Sequence, residues 1–326
     1  MPILAGDIGG TKTLLQLKEG TGILFERRFD SNAFATFDDV LASFLDQAAG
    51  EGRADVSAAC IGVAGPVEGR RARVTNLPWR LDADALAARF GIPRLRLVND
   101  FQAVGYGLET LGDDDLRVLQ AGQPQPGAPR ALIGAGTGLG EGILVWSGDH
   151  YEVLASEGGH VDFAPTDALQ RALLAWLSER QPRVSYENIV SGPGLETLYR
   201  FHAAHFAGQA SAELLAALDQ GKGGAVISQA AGQGDVLAGR TLDMFMKIYG
   251  AQAGNLALTC LAAGGVYVAG GIAPRMAERL GNGAFMAAFR DKGKMSELVA
   301  RYPVYLVMNP RVGLQGAAEV AARLSS

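Results

Sequence analysis

Gly6–Thr13, with the sequence GDIGGTKT, lies between two segments that have the pattern of β-strands. The short apolar run 3–5 precedes it, and Leu15 and Leu17 follow it in alternation with polar residues. Because alternation of period two is typical of a half-buried strand, the pattern predicts a strand, a tight glycine turn and a second strand. The stretch is not a Walker loop, since Thr11 precedes the lysine where that motif has glycine, and no helix follows.

A second stretch of the same kind is Gly134–Gly142, with the sequence GAGTGLGEG, which leads into the apolar run 143–146. It again predicts a Gly/Thr turn between two strands. The dinucleotide-binding fingerprint G-x-G-x-x-G fails here, because Leu139 or Glu141 replaces the third glycine, depending on where the count begins.

The two loops together are more informative than either one alone. A single loop of this kind can be an ordinary glycine hairpin, but two of them about 125 residues apart indicate two related domains. Turns of this type point successive backbone N–H groups in one direction, which creates an anion-binding concavity. Glycine permits both the turn and the close approach of a phosphate.

The composition sets the class of protein. A chain of 326 residues favours two domains. With 48% hydrophobic and 19% charged residues, it is neither a disordered chain nor a coiled coil. Its 44 glycines are about twice the usual share. The formal net charge of −5 argues against nucleic acid as a partner, because binding to phosphate backbones needs a basic surface.

We expect a cytoplasmic protein without a membrane span. Residues 1–4 have no basic segment of a signal peptide. The uncharged stretch 248–274 is interrupted by polar residues and glycine pairs, which predicts a buried helix followed by a short buried strand. Cys60 and Cys260 form no C-x-x-C pattern and are expected to be buried thiols in a reducing compartment.

Helical patterns alternate with strand patterns along the chain, which indicates an α/β architecture. Thr36 is the expected N-cap of the first helix. The crossing between the domains is expected near Leu111, before the polar connector 123–129. The predicted helices cover residues 38–49, 82–90, 101–111, 167–178 and 191–207, with a further one from Arg275.

Asn99 and Asp100 follow the apolar strand 95–98 and precede a helix. In open α/β sheets, ligands bind at the carboxyl ends of strands. The helix dipole keeps a carboxylate at this position ionised, so Asp100 could serve as a base. The alternative is that Asp100 is only an N-cap.

Three further segments have polar or glycine-rich patterns. Glu157-Gly-Gly-His160 indicates a loop whose backbone approaches a ligand, and its spacing does not match a zinc motif. Glu187 alone could be a surface acid or part of a cap. Gly270-Gly271 follows a buried strand and could support a nucleoside, or could serve only close packing of helix and strand.

These motifs resemble those of the superfamily that contains sugar kinases, hexokinases, heat-shock-70 proteins and actin. Gly6–Thr11 resembles its first phosphate loop, Gly134–Gly140 its second, and Val266–Pro274 its adenosine segment. Within the superfamily, nearly the whole chain resembles the bacterial glucokinase family. The segments that carry this closer resemblance are Thr75–Trp79, Val98–Phe101, Glu157–His160, Tyr186–Asn188 and Asn309–Ala317.

The resemblance implies roles for particular residues. Asp100 would be the general base for the 6-hydroxyl of the sugar, and Asp7 would lie near Mg²⁺ without necessarily binding it directly. The sugar ligands would be Asn99, Asp100, Glu157, His160 and Glu187. The residues that bind ATP would be Gly6, Asp7, Ile8, Gly9, Gly10, Thr11, Gly136, Thr137, Gly138, Gly270 and Gly271.

The resemblance also implies a two-domain actin-like ATPase fold, related to ribonuclease H. The small domain would comprise residues 1–111 and 303–326 and the large domain 112–302, with the active site in the cleft between them. Members of this family are commonly homodimers. Lys12 is more similar to repressor/kinase (ROK) relatives, whose cysteine-rich zinc motif has no counterpart in this sequence.

The predicted activity is phosphorylation of glucose by MgATP to give glucose 6-phosphate and ADP, the first step of glycolysis. One alternative is the same reaction on mannose, fructose or N-acetylglucosamine. A second is a sugar-sensing regulator, although the first loop begins at Gly6 and leaves no room for a DNA-binding segment before it. A third is an actin-like or chaperone ATPase, which would have no need of the sugar-binding motifs.

Overall fold

The computed structural model describes residues 1–51, 55–281 and 283–325. The chain divides into two compact units. The first unit comprises Met1–Asp115, His150–Ala155 and Asn309–Ser326, and the second comprises Leu116–Asp149 and Ser156–Met308. These boundaries lie a few residues from those predicted, and the sequence did not suggest that His150–Ala155 belongs with the first unit.

The strands and helices alternate, as the α/β pattern predicts. In the described residues the strands are β1 (Ile3–Ile8), β2 (Lys12–Glu19), β3 (Gly22–Asp30), β4 (Ala58–Val63), β5 (Val67–Glu68), β6 (Arg71–Arg73), β7 (Arg80–Asp82), β8 (Leu95–Asn99), β9 (Leu116–Gln120), β10 (Arg130–Ala135), β11 (Leu139–Trp146), β12 (Tyr151–Ser156), β13 (Gly265–Ala269) and β14 (Val304–Val307). The α-helices are α1 (Phe37–Gly50), α2 (Ala83–Phe90), α3 (Asp100–Gly107), α4 (Ala168–Ser178), α5 (Gly192–His205), α6 (Ala212–Asp219), α7 (Ala225–Gly232), α8 (Val236–Cys260), α9 (Ala277–Gly281), α10 (Ala284–Arg290), α11 (Ser296–Val299) and α12 (Val312–Ser325).

The first unit is built on a sheet with the strand order β3-β2-β1-β4-β8. β1 is antiparallel to β2 and parallel to β4, and β4 is parallel to β8. α12 packs against α3 and against β1 and β4. The two helices approach closely at Gly316, where an added Cβ would lie only 1.8 Å from the carbonyl oxygen of Ala103. Interiors are packed too densely to absorb such an overlap without a shift.

Side chains of α3 explain why His150–Ala155 belongs to the first unit. Gln102 Nε2 donates to the carbonyl oxygen of Val153 at 3.2 Å, and the hydroxyl of Tyr106 donates to Glu152 Oε2 at 2.8 Å. The amide of Tyr151 donates to Glu109 Oε2 at 3.1 Å.

The sheet of the second unit contains the same arrangement as β2-β1-β4 of the first, in which a central strand has one antiparallel and one parallel neighbour. Its strands follow the order β11-β10-β13-β14-β9, with β10 antiparallel to β11 and parallel to β13. The long helix α8 packs against α5, α7 and α10 and contacts β10. Phe245 and Tyr249 on α8 are completely buried. Burial of such a side chain contributes about 1.5–3 kcal/mol to the free energy of unfolding.

The helix predictions are confirmed, with two differences in extent. α1 begins after Thr36, whose hydroxyl accepts the N–H of Asp39 at 3.3 Å, as expected of its N-cap. α3 ends at Gly107, short of the predicted position 111. The chain continues as a 3₁₀ turn, in which the Thr110 hydroxyl donates to the carbonyl oxygen of Gly107 at 2.8 Å. The helix expected from Arg275 begins as the 3₁₀ turn Ala273–Met276 before α9.

The stretch 248–274 contains the end of α8 and then β13, as predicted. No helix in the described part of the chain is long and apolar enough to cross a membrane.

Candidate active site

The first glycine loop joins β1 to β2. The N–H of Gly9 donates to the carbonyl of Lys12 at 2.9 Å, and Ser31 binds the carbonyls of Thr11 and Gly9 through its amide and hydroxyl, at 3.1 and 3.2 Å. These bonds use carbonyl groups of the turn. In residues 1–51, 55–281 and 283–325, the amides of Gly10 and Thr11 have no hydrogen-bond acceptor. They can therefore donate to an anion.

Two carboxylates of the first unit lie beside this loop, and the charge of one, Asp7, acts on the other, Asp100. Asp7 is near the end of β1, and Asp100 is the first residue of α3, directly after β8. β4 lies between these strands. A Cβ added at its Gly62 would be 3.5 Å from the carbonyl oxygen of Gly6 and 3.9 Å from Asp100 Cα, so the backbone of both neighbouring segments lies close to Gly62.

The environment raises the pKa of both carboxyl groups. Burial raises the pKa of Asp7 above its usual range. Burial, together with the negative charge of Asp7, raises the pKa of Asp100 to about 6, although the N–H of Phe101 opposes the shift by donating to it at 2.9 Å. A carboxylate with this pKa is ionised near neutral pH and is a stronger base than an exposed aspartate.

The N-cap of α3 is Asn99, and Asp100 is the first helical residue. Asn99 Oδ1 accepts the N–H of Phe101 at 2.9 Å, and its Nδ2 donates to the carbonyl of Gly65 at 3.1 Å. The N-cap is therefore the neutral residue Asn99, and the Asp100 carboxylate shares the N–H of Phe101 with it.

The second glycine loop joins β10 to β11. The N–H of Gly136 donates to the carbonyl of Gly138 at 2.8 Å, and the N–H of Gly192, the first residue of α5, donates to the carbonyl of Gly136 at 2.8 Å. Across the described residues, the amides of Thr137 and Gly138 have no acceptor, like those of the first loop. The structure thus confirms two strand–turn–strand loops of the same kind.

Glu187 connects the second loop to the predicted sugar ligands. Its Oε2 accepts the N–H of Leu139 at 2.8 Å and lies only 2.4 Å from the point where a Cβ of Gly138 would be. Its own N–H donates to the carbonyl of Gly159 at 2.9 Å. Glu187 therefore lies beside the second glycine loop and bonds to Gly159, whereas the sequence left open that it was a surface acid.

The predicted ligands Glu157 and His160 lie at the ends of a short turn in the second unit. His160 Nε2 is 3.7 Å from Glu157 Oε2, and Nδ1 is 3.8 Å from Glu187 Oε1. The side chains of His160 and Glu157 are 58% and 85% exposed, so both are accessible to a ligand. The structure brings these three residues together.

Sequence reasoning missed one acidic residue of this region. Glu141 on β11 is only 4% exposed, and its Oε1 accepts from Gln252 Nε2 at 2.8 Å. Burial raises the pKa of Glu141 to about 7, partly offset by the bond from Gln252. The sequence signal that could have indicated Glu141 is an acidic residue near the start of β11, an otherwise apolar strand that follows the second glycine loop.

Gly270 and Gly271 follow β13, next to the end of β10. Gly270 has a φ of +83°, and an added Cβ would lie 2.5 Å from the carbonyl oxygen of Ala135. Close packing between strand ends therefore requires Gly270. An added Cβ at Gly271 would have no atom within 4 Å, so this residue leaves open space beside the turn.

The predicted site residues are distributed over both units. The first unit contains Gly6, Asp7, Ile8, Gly9, Gly10, Thr11, Asn99 and Asp100, and the second contains Gly136, Thr137, Gly138, Glu157, His160, Glu187, Gly270 and Gly271. No group of three or more His, Cys, Asp or Glu side chains within the described ranges is arranged to hold a metal ion.

Comparison with known proteins identifies the class and then the family. The model of the family described as glucokinase matches residues 4–324. A glucokinase of Nostoc punctiforme is 42% identical over 341 aligned positions, covering 99% of each chain. The crystal structure of a glucokinase from an Antarctic psychrotroph has a TM-score of 0.86 and 33% identity, with 99% of each chain covered.

A more distant solved structure is a ROK family glucokinase from Streptomyces griseus in complex with glucose and AMPPNP. It has 25% identity and a TM-score of 0.65, covering 99% of this chain and 100% of the other.

The fold is therefore the two-domain actin-like ATPase fold of the sugar kinases, as the resemblance implied. The chain belongs to the glucokinase family, whose members are hexose kinases that transfer phosphate from ATP to glucose. The predicted family, fold class and kinase activity are thereby confirmed.

Proposed function

We propose that this chain phosphorylates the 6-hydroxyl of glucose with MgATP and releases glucose 6-phosphate and ADP, with Asp100 as the general base. The environment of Asp100 carries the proposal: it is a buried carboxylate at a strand end, next to the N-cap Asn99, and burial and the charge of Asp7 make it more basic. The glucose and AMPPNP bound to the Streptomyces griseus relative support the same pair of substrates.

Asp100 would accept the proton of the attacking hydroxyl. Phosphoryl transfer requires mainly positioning and neutralisation of charge, because its transition state is loose and needs little covalent help. A base with a pKa of about 6 is mostly ionised at pH 7 and can still accept a proton as the hydroxyl becomes acidic in the transition state.

The sugar ligands would be Asn99 and Asp100 in the first unit and Glu157, His160 and Glu187 in the second. Carboxylates accept hydrogen bonds from pairs of neighbouring hydroxyls, and an imidazole can donate or accept, which suits a polyol. Glu157 and His160 are exposed enough to make such bonds without displacing packed side chains.

ATP would be bound through backbone groups. The amides of Gly10, Thr11, Thr137 and Gly138 would donate to its phosphate oxygens, since they have no acceptor in the described part of the protein. The remaining predicted phosphate-loop residues Gly6, Asp7, Ile8, Gly9 and Gly136 would shape these turns. The open side of Gly271, next to Gly270, would receive the nucleoside.

The carboxylate oxygens of the first unit are suitable ligands for Mg²⁺. Asp7 and Asp100 present carboxylate oxygens beside the first loop, and Mg²⁺ is commonly bound by one or two carboxylates, substrate phosphates and water. Asp7 would hold the ion, directly or through water. When bound, Mg²⁺ neutralises charge on the phosphates.

Two further proposals follow from the family resemblance. The protein would act in the cytoplasm at the first step of glycolysis, and it would be a homodimer. Sedimentation equilibrium of the purified chain tests the oligomeric state, because a single monomeric species would contradict the dimer.

The deciding experiment measures ADP production with MgATP across glucose, mannose, fructose and N-acetylglucosamine, with a control that lacks sugar. We expect rapid turnover with glucose and almost none without sugar, and EDTA should abolish it. Equal ADP release with and without sugar would indicate an ATPase. Absence of turnover with every sugar would contradict the proposed kinase.

A further inference from the structure

Glu141 is an acidic residue in the interior of the second unit. It pairs with Ile133 across the β10–β11 ladder and is 4% exposed. A buried carboxyl group costs free energy unless hydrogen bonds compensate it. Its Oε1 has one such bond, from Gln252 Nε2 at 2.8 Å.

The other oxygen of Glu141 lies against the turn that carries Glu157 and His160. A Cβ added to Gly158 would lie 2.1 Å from Glu141 Oε2, closer than real contacts allow. On the same side, Ser156 Oγ accepts the N–H of Gly158 at 3.0 Å. Gly158 thus packs against both the carboxylate and the serine, and its lack of a side chain permits these contacts.

A chain of hydrogen bonds continues from Glu141 to the residue next to Glu187. Asn255 Nδ2 donates to Gln252 Oε1 and to the hydroxyl of Tyr186, both at 3.2 Å. The N–H of Tyr186 donates in turn to the carbonyl of Val161 at 3.1 Å, just after the sugar-binding turn. Residues of β11 and α8 therefore support both predicted sugar-binding segments from the buried side.

We propose that Glu141 is a positioning residue for the sugar site: through its contacts with Gly158 and Gln252 it holds the turn Glu157–His160 in the conformation that binds the sugar. This inference rests on the proposed function, which assigns Glu157, His160 and Glu187 to the sugar. With 4% of its surface exposed, Glu141 would act on the sugar site through the turn and not through its own contact with the sugar.

The first test compares the Glu141→Ala and Glu141→Gln variants of the full chain. Alanine removes the support of Gly158 and leaves the Gln252 amide unpaired, so KM for glucose should rise about tenfold or more, because small misplacements of binding groups are costly. KM for ATP should stay within about twofold. Glutamine has the same shape and can accept from Gln252, so it should restore KM for glucose to within about threefold.

Thr241→Val is the matched control. Thr241 is also buried and polar, lies on α8 like Gln252, and binds the carbonyl of Leu237 and the ring of His202. This variant should lower Tm and leave KM for glucose unchanged. If Glu141→Ala behaves in the same way, or raises both KM values equally, Glu141 only supports the fold and the proposal is wrong.

A double-mutant cycle tests the contact directly. In the wild-type background, Gly158→Ala places a methyl group against the carboxylate and should raise KM for glucose about tenfold or more. In the Glu141→Ala background the methyl group has room, so the same substitution should have a much smaller effect. Additive effects would overturn the proposal, and so would a Gly158→Ala enzyme with normal KM for glucose, even if Glu141→Ala does not fold.

The failure of this inference can be distinguished from failure of the proposed function. If the wild-type chain shows no sugar-dependent ADP release, the proposed function fails and the proposed positioning role fails with it. If the wild type is active but the Glu141 and Gly158 variants have normal KM for glucose, only the positioning role is contradicted.

Discussion

The two glycine loops have the same backbone design and different surroundings. Each joins a central strand to an antiparallel neighbour, and each central strand is parallel to the strand on its other side. In each loop two amides, those of Gly10 and Thr11 or of Thr137 and Gly138, have no acceptor within the described residues. The difference lies in the side chains that pack around them.

The first loop is stabilised by backbone and hydroxyl groups and lies beside acids that it does not bind. Ser31 holds its carbonyls, and an added Cβ at Gly10 would meet only the side chain of Asn76, at 3.1 Å. The carboxylates of Asp7 and Asp100 are therefore not used to build the loop. They are the groups that the proposed function assigns to proton transfer and to Mg²⁺.

The second loop is stabilised by an acid that the proposed mechanism also needs. Glu187 accepts the N–H of Leu139 and crowds Gly138, while its other oxygen lies near His160. A similar backbone turn is thus independent of the predicted catalytic acid in one unit and bonded to a predicted sugar ligand in the other. The chemistry of a glycine loop depends on the neighbours that the fold supplies.

The largest expected effect concerns the acid beside the first loop. Asp100→Asn should reduce kcat by about 10²-fold to 10⁴-fold, because general-base catalysis contributes about that much. The amide can still bond to a hydroxyl, so calorimetry should show glucose binding within a few-fold of wild type. Asp46→Asn, at an exposed position of α1, is the control. Near-normal kcat in Asp100→Asn would remove this residue from the mechanism.

Alanine substitutions in the two loops should separate them. Gly138→Ala forces Glu187 to move, so KM should rise for both ATP and glucose, by about tenfold or more. Gly10→Ala meets only Asn76 and should raise KM for ATP alone. Gly239→Ala on α8, where an added Cβ has no atom within 4 Å, is the control. Identical patterns for the two loop variants would contradict the difference between the loops.

The pH dependence of kcat/KM for glucose should report the carboxyl group of Asp100 in the first unit. Because the pKa of Asp100 in the free protein is about 6 and its ionised form is the base, kcat/KM should fall as the pH decreases through 6, by about tenfold from pH 7 to pH 5. The residual rate of Asp100→Asn should not show this acidic limb. An unchanged limb in that variant would assign the titration to another group.

The smallest expected effect is on stability, through Glu141 in the second unit. Its pKa is about 7 in the folded protein and near 4.5 when unfolded, so its contribution to the free energy of unfolding is complete below pH 4.5 and is lost as the pH rises through 7. Glutamine does not titrate, so the Glu141→Gln variant lacks this pH-dependent contribution. The wild type loses stability between pH 5 and pH 8 and the variant does not, so the Tm of the variant minus that of the wild type should increase over this range.

The negative charge of Glu141 acts on the hydroxyl groups of Tyr186 and Tyr249. The pKa values of both tyrosines are raised above their usual value, so neither titrates between pH 5 and pH 8. Glu213→Gln, at an exposed position of α6, is the control. A Tm difference between Glu141→Gln and wild type that is constant with pH would show that Glu141 keeps its charge when buried.

Local signals predicted much of the fold. Period-two alternation around Gly6–Thr13 and Gly134–Gly142 predicted both strand–turn–strand loops, and the Thr36 cap predicted the start of α1. The family resemblance predicted the fold class and the kinase activity. The individual roles of the site residues stay predictions.

Contacts between distant segments could not be predicted in this way. Nothing near Asp100 in the sequence indicates that Asp7 raises its pKa, since the two residues are brought together across β4 by strand order. The same holds for Glu187 beside Leu139, and for Glu141 behind Gly158.

The sequence by itself determined the elements, the two anion-binding turns and the types of residue that serve a sugar kinase, because turn geometry and hydrophobic period depend on neighbours along the chain. Only the tertiary structure decided which acid is more basic than an exposed carboxylate, which one accepts an N–H beside a glycine loop and which one lies behind Gly158. Those properties depend on burial and on charges within a few ångströms, and both arise when remote segments pack together.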